Sequence, residues 1–114
     1  MTICNAKIDK TMLGREDHGI LTAFLYLDYG GFQQGFGGYT LDQYDKETKC
    51  RIGTAFGTEF IAQILKVLEV SSWEQLPGTH CRARIENNLI RAIGHILKDQ
   101  WFDPKVVAES MLEL

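Results

Sequence analysis

Proline occurs only twice in the 114 residues, at Pro77 and Pro104, and no linker, repeat or low-complexity segment interrupts the chain. One domain over residues 1–114 is therefore expected, long enough to bury roughly 60–70% of the surface its unfolded form exposes. Cysteine is equally scarce. Cys4, Cys50 and Cys81 make an odd number without CxxC spacing, which argues against a disulfide framework or a zinc knuckle and fits a reducing cytoplasm. No apolar run approaches the ~20 residues that span a membrane, and Asn5, Lys7 and Asp9 break any secretion-signal pattern at the start. Positive charge is in deficit, with a formal net charge of −3, so a generally basic nucleic-acid-binding surface is not expected and any anion site must be local. Apolar residues, at 45%, are abundant enough to make a disordered chain unexpected.

The motifs of several chemistries are missing too. There is no GxxxxGK[ST] and no GxGxxG opening a helix, so the glycine-dense Gly35-Phe36-Gly37-Gly38 reads as close backbone packing rather than a phosphate cradle. Asp17 and His18 sit together in a polar loop, but no Ser or Cys nucleophile has a companion motif and no metal-ligand spacing exists. Cys81 reads as a buried thiol. The expectation is a protein that binds rather than catalyses, with no catalytic residue, metal or cofactor.

What is present is a clear succession of hydrophobic periods. Residues 3–10 alternate as a half-buried strand, with Cys4, Ala6 and Ile8 on one side. A polar break at 14–19 precedes a second strand at 20–28, apolar on both faces and so expected to be central. Gly30-Gly31 turns the chain into a glycine-rich hairpin partner at 32–39, and residues 41–50 read as a loop. Phe56, Phe60, Ile61, Ile64, Leu65 and Leu68 form the stripe of an amphipathic helix that starts between Thr54 and Thr58. Ser71 to Glu74 and Ser72 to Gln75 offer capping-box spacings for one short turn, with Trp73 stapling it to the core before Pro77-Gly78 ends it. Asp103-Pro104 is an N-cap with proline at the first helical position, opening a short helix over 104–112. The class is α+β: an antiparallel sheet of about five strands, one main amphipathic helix and a short C-terminal helix.

The most informative stretch is 79–97. Asn87-Asn88 suits a two-residue hairpin turn of the primed type, because asparagine tolerates the left-handed conformation. Counting outward from that turn pairs Ile85 with Ile90, Arg84 with Arg91, Arg82 with Ile93 and His80 with His95. One face then carries Cys81, Ala83, Ile85, Ile90, Ala92 and Gly94, and the other His80, Arg82, Arg84, Arg91, Ile93 and His95. Like charges opposed across strands repel, so three arginines on one face call for a reason. Forked guanidinium donors match phosphate or carboxylate, which makes this face a candidate anion site. Arginines that lie over apolar surface or pair with Glu86 and acids of a neighbouring element are the alternative. Trp101-Phe102 is either core or contact surface, or a platform for a nucleobase.

Four segments together carry a resemblance: Asp17-His18-Gly19-Ile20-Leu21-Thr22, Gly35-Phe36-Gly37-Gly38-Tyr39, Arg51-Ile52-Gly53-Thr54-Ala55 and Lys98-Asp99-Gln100-Trp101-Phe102-Asp103-Pro104. Over almost the whole chain they look like small proteins of tailed bacteriophages. In size, element order and late hairpin the chain is similar to the Thoeris anti-defence family of nucleotide sponges. That resemblance implies a non-enzymatic homo-oligomer in the host cytoplasm that sequesters a cyclic ADP-ribose-type messenger of bacterial immunity without cleaving it. The ligand would be a small anionic nucleotide, with arginines on phosphates and aromatics on adenine. Arg82, Arg84, Arg91, His80 and His95 are the expected contacts, with Arg51 and Trp101 in support. This chain departs from the family in having no arginine after Arg91. The alternative is a phage inhibitor that acts by direct contact with a host defence component such as a CRISPR-Cas complex.

Overall fold

In the computed structural model, which describes residues 1–112, the chain begins with two long strands, β1 (Thr2–Glu16) and β2 (Ile20–Tyr29). The last two positions of the expected 1–114 domain lie outside the described residues. Next come β3 (Phe32–Gly37), β4 (Asp42–Asp45), β5 (Cys50–Gly53) and the helix α1 (Ala55–Leu68). A 3-10 turn at Trp73–Gln75 leads to β6 (His80–Glu86), β7 (Leu89–His95), β8 (Trp101–Phe102) and α2 (Pro104–Leu112). Six strands form one antiparallel sheet in the order β3-β2-β1-β6-β7-β8, and β4 pairs with β5 in a separate ribbon. The α+β class stands, with more strands than the five expected.

The periodicities account for most of these elements. Ala6 and Ile8 of β1, and Ala23, Leu25 and Leu27 of β2, alternate into one core. Thr54 caps α1: its hydroxyl accepts from the Gly57 N–H at 2.9 Å and donates to the Leu41 carbonyl at 3.1 Å. Gly57 must be glycine, because a Cβ there would come within 2.0 Å of the Leu41 carbonyl oxygen. Ser72 and Gln75 complete the capping box around the short turn. Asp103 caps α2 through the Lys105 and Val106 amides.

Two expectations need correction. β1 does not break at residue 14; it runs to Glu16, with a bulge at Asp9 that moves its inward face from even to odd positions. The stretch 41–50 is not all loop, since β4 and β5 frame a turn in which Asp45 accepts from the Thr48 amide and hydroxyl. Trp101-Phe102 is a short strand on the edge of the sheet.

The sheet curls until its two edges meet. Phe36 from β3 and Phe102 from β8 lie 6.3 Å apart by ring centroids, and Phe60 of α1 packs against both, at 6.3 and 5.4 Å. Where β3 passes β7, the Gln34 side chain acts like a peptide group of a missing strand. Its Oε1 accepts from the Ile90 N–H and its Nε2 donates to the Asn88 carbonyl, both at 2.8 Å. Gly37 and Gly38, at φ 120° and 79°, let the chain leave β3 against the Ala23 carbonyl and the Phe24 ring, which is the packing role expected of this stretch. No described helix is long and apolar enough to cross a membrane.

Candidate functional site

The hairpin turn forms as the sequence suggests: Asn87 and Asn88 take φ 52° and 64°, and Glu86 pairs with Leu89 and Ile85 with Ile90. Beyond that the expected register fails by one residue. Arg84 pairs with Ala92, Ala83 with Ile93, Arg82 with Gly94 and Cys81 with His95, so Arg91 is the extra residue of a bulge. The shift changes which side chains share a face. Ile93 turns into the core, Gly94 moves to the arginine face, and His95 leaves that face for the side of Cys81 and α1.

Two of the three hairpin arginines are engaged within the molecule. Arg82 donates to the carbonyls of His95 at 2.8 Å and Lys98 at 2.7 Å, and its guanidinium lies 4.9 Å from the centre of the Trp101 ring. Arg84 is 5.8 Å from the same ring and forms an ion pair with Asp103. Gly94 makes room for this stack, because a Cβ there would meet the indole at 2.7 Å. The pairing alternative raised for these arginines thus describes Arg84, while Arg82 lies over Trp101 and is held by backbone carbonyls.

The remaining expected residues are spread around the molecule. His95 accepts the Leu97 and Lys98 amides on Nδ1, at 3.1 and 3.0 Å, and its Nε2 sits 3.1 Å from Glu69 after α1. Glu69 also takes Lys98 at 2.7 Å, and that hydrogen bond holds its carboxyl below the usual range. Arg51 pairs with Asp42 at 2.8 Å on the β4–β5 ribbon, and its hydrogen bond draws the Asp42 carboxyl below its ordinary value. His80 is exposed where β6 begins. Burial pushes the Cys81 thiol up to about 12, so it stays protonated and inert. Asp17 and His18 face each other at 3.4 Å on an exposed hairpin tip. Among the described residues, no cluster of His, Cys, Asp and Glu suited to a metal occurs.

Arg91 is the exception. Ile90 and Ala92 on either side are buried, whereas the bulge leaves Arg91 exposed and without an acidic partner among the described residues. It lines a groove of about 380 Å³ at the seam of the curled sheet, with Tyr39, Glu86, Asp103, Lys105 and Ala108. Asp103 is already occupied, by Arg84 on one oxygen and the α2 amides on the other. Tyr39 packs its ring on Phe56 and Phe60, and burial, with the nearby Asp103 charge, raises its phenol above the ordinary value. It therefore remains a hydrogen-bond donor.

No family model, curated protein or solved structure matches this chain.

The groove thus presents two cations without committed partners, Arg91 and Lys105, one phenol donor, and a single uncommitted acid, Glu86. Such a set can hold a compact anion. Sequence reasoning named Arg91 but missed Tyr39 and Lys105 as its companions. No linear signal joins them, because Tyr39 follows β3, Arg91 sits on β7 and Lys105 opens α2.

Proposed function

We propose that this protein binds a small phosphorylated ligand in the groove at the sheet seam and releases it unchanged. The observation that carries this reading is the bulge: one inserted residue turns Arg91 out of a strand whose neighbours are core, toward Lys105 and Tyr39. Bulges that re-aim a side chain are common beside functional sites. The groove volume also falls in the range of small-molecule sites, about 300–1,000 Å³. Together with the similarity to nucleotide sponges, this favours a cyclic nucleotide of the cyclic ADP-ribose type as ligand, sequestered as a phage counter to host immune signalling.

The test is a thermal-shift panel of cyclic ADP-ribose isomers and cyclic di- and trinucleotides. A true ligand at 100 times its dissociation constant should stabilise the fold by roughly 2.7 kcal/mol. Heat denaturation should then return it intact, and Lys105→Ala should abolish the shift without lowering the melting temperature of the free protein. Recovery of a cleaved product would turn the case toward an enzyme.

The second reading, inhibition by direct protein contact, draws on a different surface. Tyr29, Phe32 and Ile85 line an open hollow of about 440 Å³ at the other side of the Gln34 seam, and Phe32 is 70% exposed. A stoichiometric protein partner recovered from infected cells, and lost with Phe32→Asp but kept with Lys105→Ala, would favour it.

A further inference from the structure

β1 is longer than the strand that covers it. Its pairing with β6 ends at Lys7 opposite His80, and the bonds of Ile8 to Thr79 and Gly78, at 2.9 and 2.7 Å, close that side. From Lys10 to Glu16, β1 pairs with β2 alone, and its other backbone edge has no partner among the described residues.

Which groups this edge offers follows from the bulge. Ile8 turns its side chain into the core and both its N–H and C=O toward Thr79 and Gly78. The extra residue, Asp9, shifts the alternation by one, so that Thr11, Leu13 and Arg15 continue both roles. Their side chains stand on the inner face, opposite Leu25, Ala23 and Leu21, and their peptide groups point out from the open edge. Leu13, at the middle, keeps 42% of its surface exposed. Natural edges are usually blunted by proline, by a bulge within the exposed stretch or by inward charges; here the bulge comes before the open stretch, no proline lies in it, and its one inward-side charge, Arg15, stands exposed at the far end next to the hairpin tip.

We propose that the open edge of β1 is a dimer interface, in which a second copy of this chain pairs antiparallel along residues 10–16 with Leu13 on the two-fold axis. In that register Leu13 exchanges backbone bonds with the partner's Leu13, and Thr11 with the partner's Arg15. These are the residues whose peptide groups face outward. On the outer face, Lys10 then stands opposite the partner's Glu16, and Glu16 opposite the partner's Lys10. The segment is thus complementary to itself in charge, as an isologous two-fold contact requires. A slip of one pair in either direction removes both charge pairs and leaves part of the open edge unpaired or drives the partner's strand into the closed edge at Thr79. The interface joins two sheets into one and does not depend on the ligand groove.

Sedimentation of the full-length protein over a dilution series reads this directly. The unaltered chain should dimerise, and Lys10→Glu or Glu16→Lys alone should each weaken the dimer by about tenfold or more, since like charges then oppose one another twice. The double variant, Lys10→Glu with Glu16→Lys, should restore the dissociation constant to within about threefold of the original. That rescue cannot arise inside one chain, because at about 3.3 Å per residue the two positions lie roughly 20 Å apart on the strand. Circular-dichroism spectra that match the original, with cooperative melting of all three variants at a concentration where every protein is monomeric, exclude misfolding as the cause. A monomer at every concentration, a dimer indifferent to the single substitutions, or a double variant that stays monomeric would overturn the proposal. In the first case a strand of another protein would be the occupant to seek.

Discussion

Arg84 and Arg91 look equivalent along the chain and behave as opposites in the fold. Arg84 leans on Trp101 and holds Asp103, with only 24% of its side chain exposed, whereas Arg91 has no acidic partner among the described residues and stands at the mouth of the groove. Removing Arg84 leaves Asp103 half-buried without its cation, and Arg84→Ala is expected to lower unfolding free energy by about 1–2 kcal/mol, between the values for exposed and for buried pairs. Arg91→Ala removes a solvated side chain, and urea denaturation should place it within about 0.5 kcal/mol of the original protein. Equal losses for both would mean that Arg91 is structural and that the groove has no free guanidinium.

At the level of the element, the β6–β7 hairpin shows how a turn and a strand can be separately specified. Both central residues of the turn have positive φ, a conformation that asparagine tolerates and glycine adopts without strain. Asn88→Gly keeps the Asn88 carbonyl that Gln34 uses and should raise stability by a few tenths to about 1 kcal/mol, measurable by chemical denaturation. A loss instead would show that the Asn88 side chain is needed. The turn was legible because two adjacent asparagines between alternating strands are a local signal. The bulge at Arg91 was not: Ile90, Ala92 and Ile93 are all apolar, so sequence alternation permits two registers, and the choice falls to Trp101 filling the space over Gly94 and to Phe102 opposite Ile93.

For the molecule as a whole, the decisive event is closure of the sheet. Its edges meet through Phe36, Phe60 and Phe102 on the inside and through the Gln34 amide at the seam, and the groove exists only because they meet. Gln34→Ala leaves the Ile90 N–H, part-buried, without an acceptor and should cost about 1–3 kcal/mol in a two-state unfolding measurement. An unchanged stability would mean that the aromatic contacts close the seam unaided. Tyr39, Arg91 and Lys105 approach one another across this seam, from elements far apart in the chain, which is why the groove had no precursor in any local motif.

The sequence by itself determined the α+β class, the extent of α1 and α2, the glycine packing after β3, the Asn87-Asn88 turn and the inert Cys81, because caps, periodicity and left-handed conformations are local and act over a few residues. Only the tertiary structure decided that β1 outruns its neighbour, that the hairpin slips by one residue at Arg91, and that Arg82, Arg84, His95 and Arg51 are held by Lys98, Asp103, Glu69 and Asp42. The physical reason is that charge partners and strand register are settled by packing between distant segments. An arginine's sequence position records that it can bind an anion, and the fold determines whether a carboxylate of the same chain reaches it first.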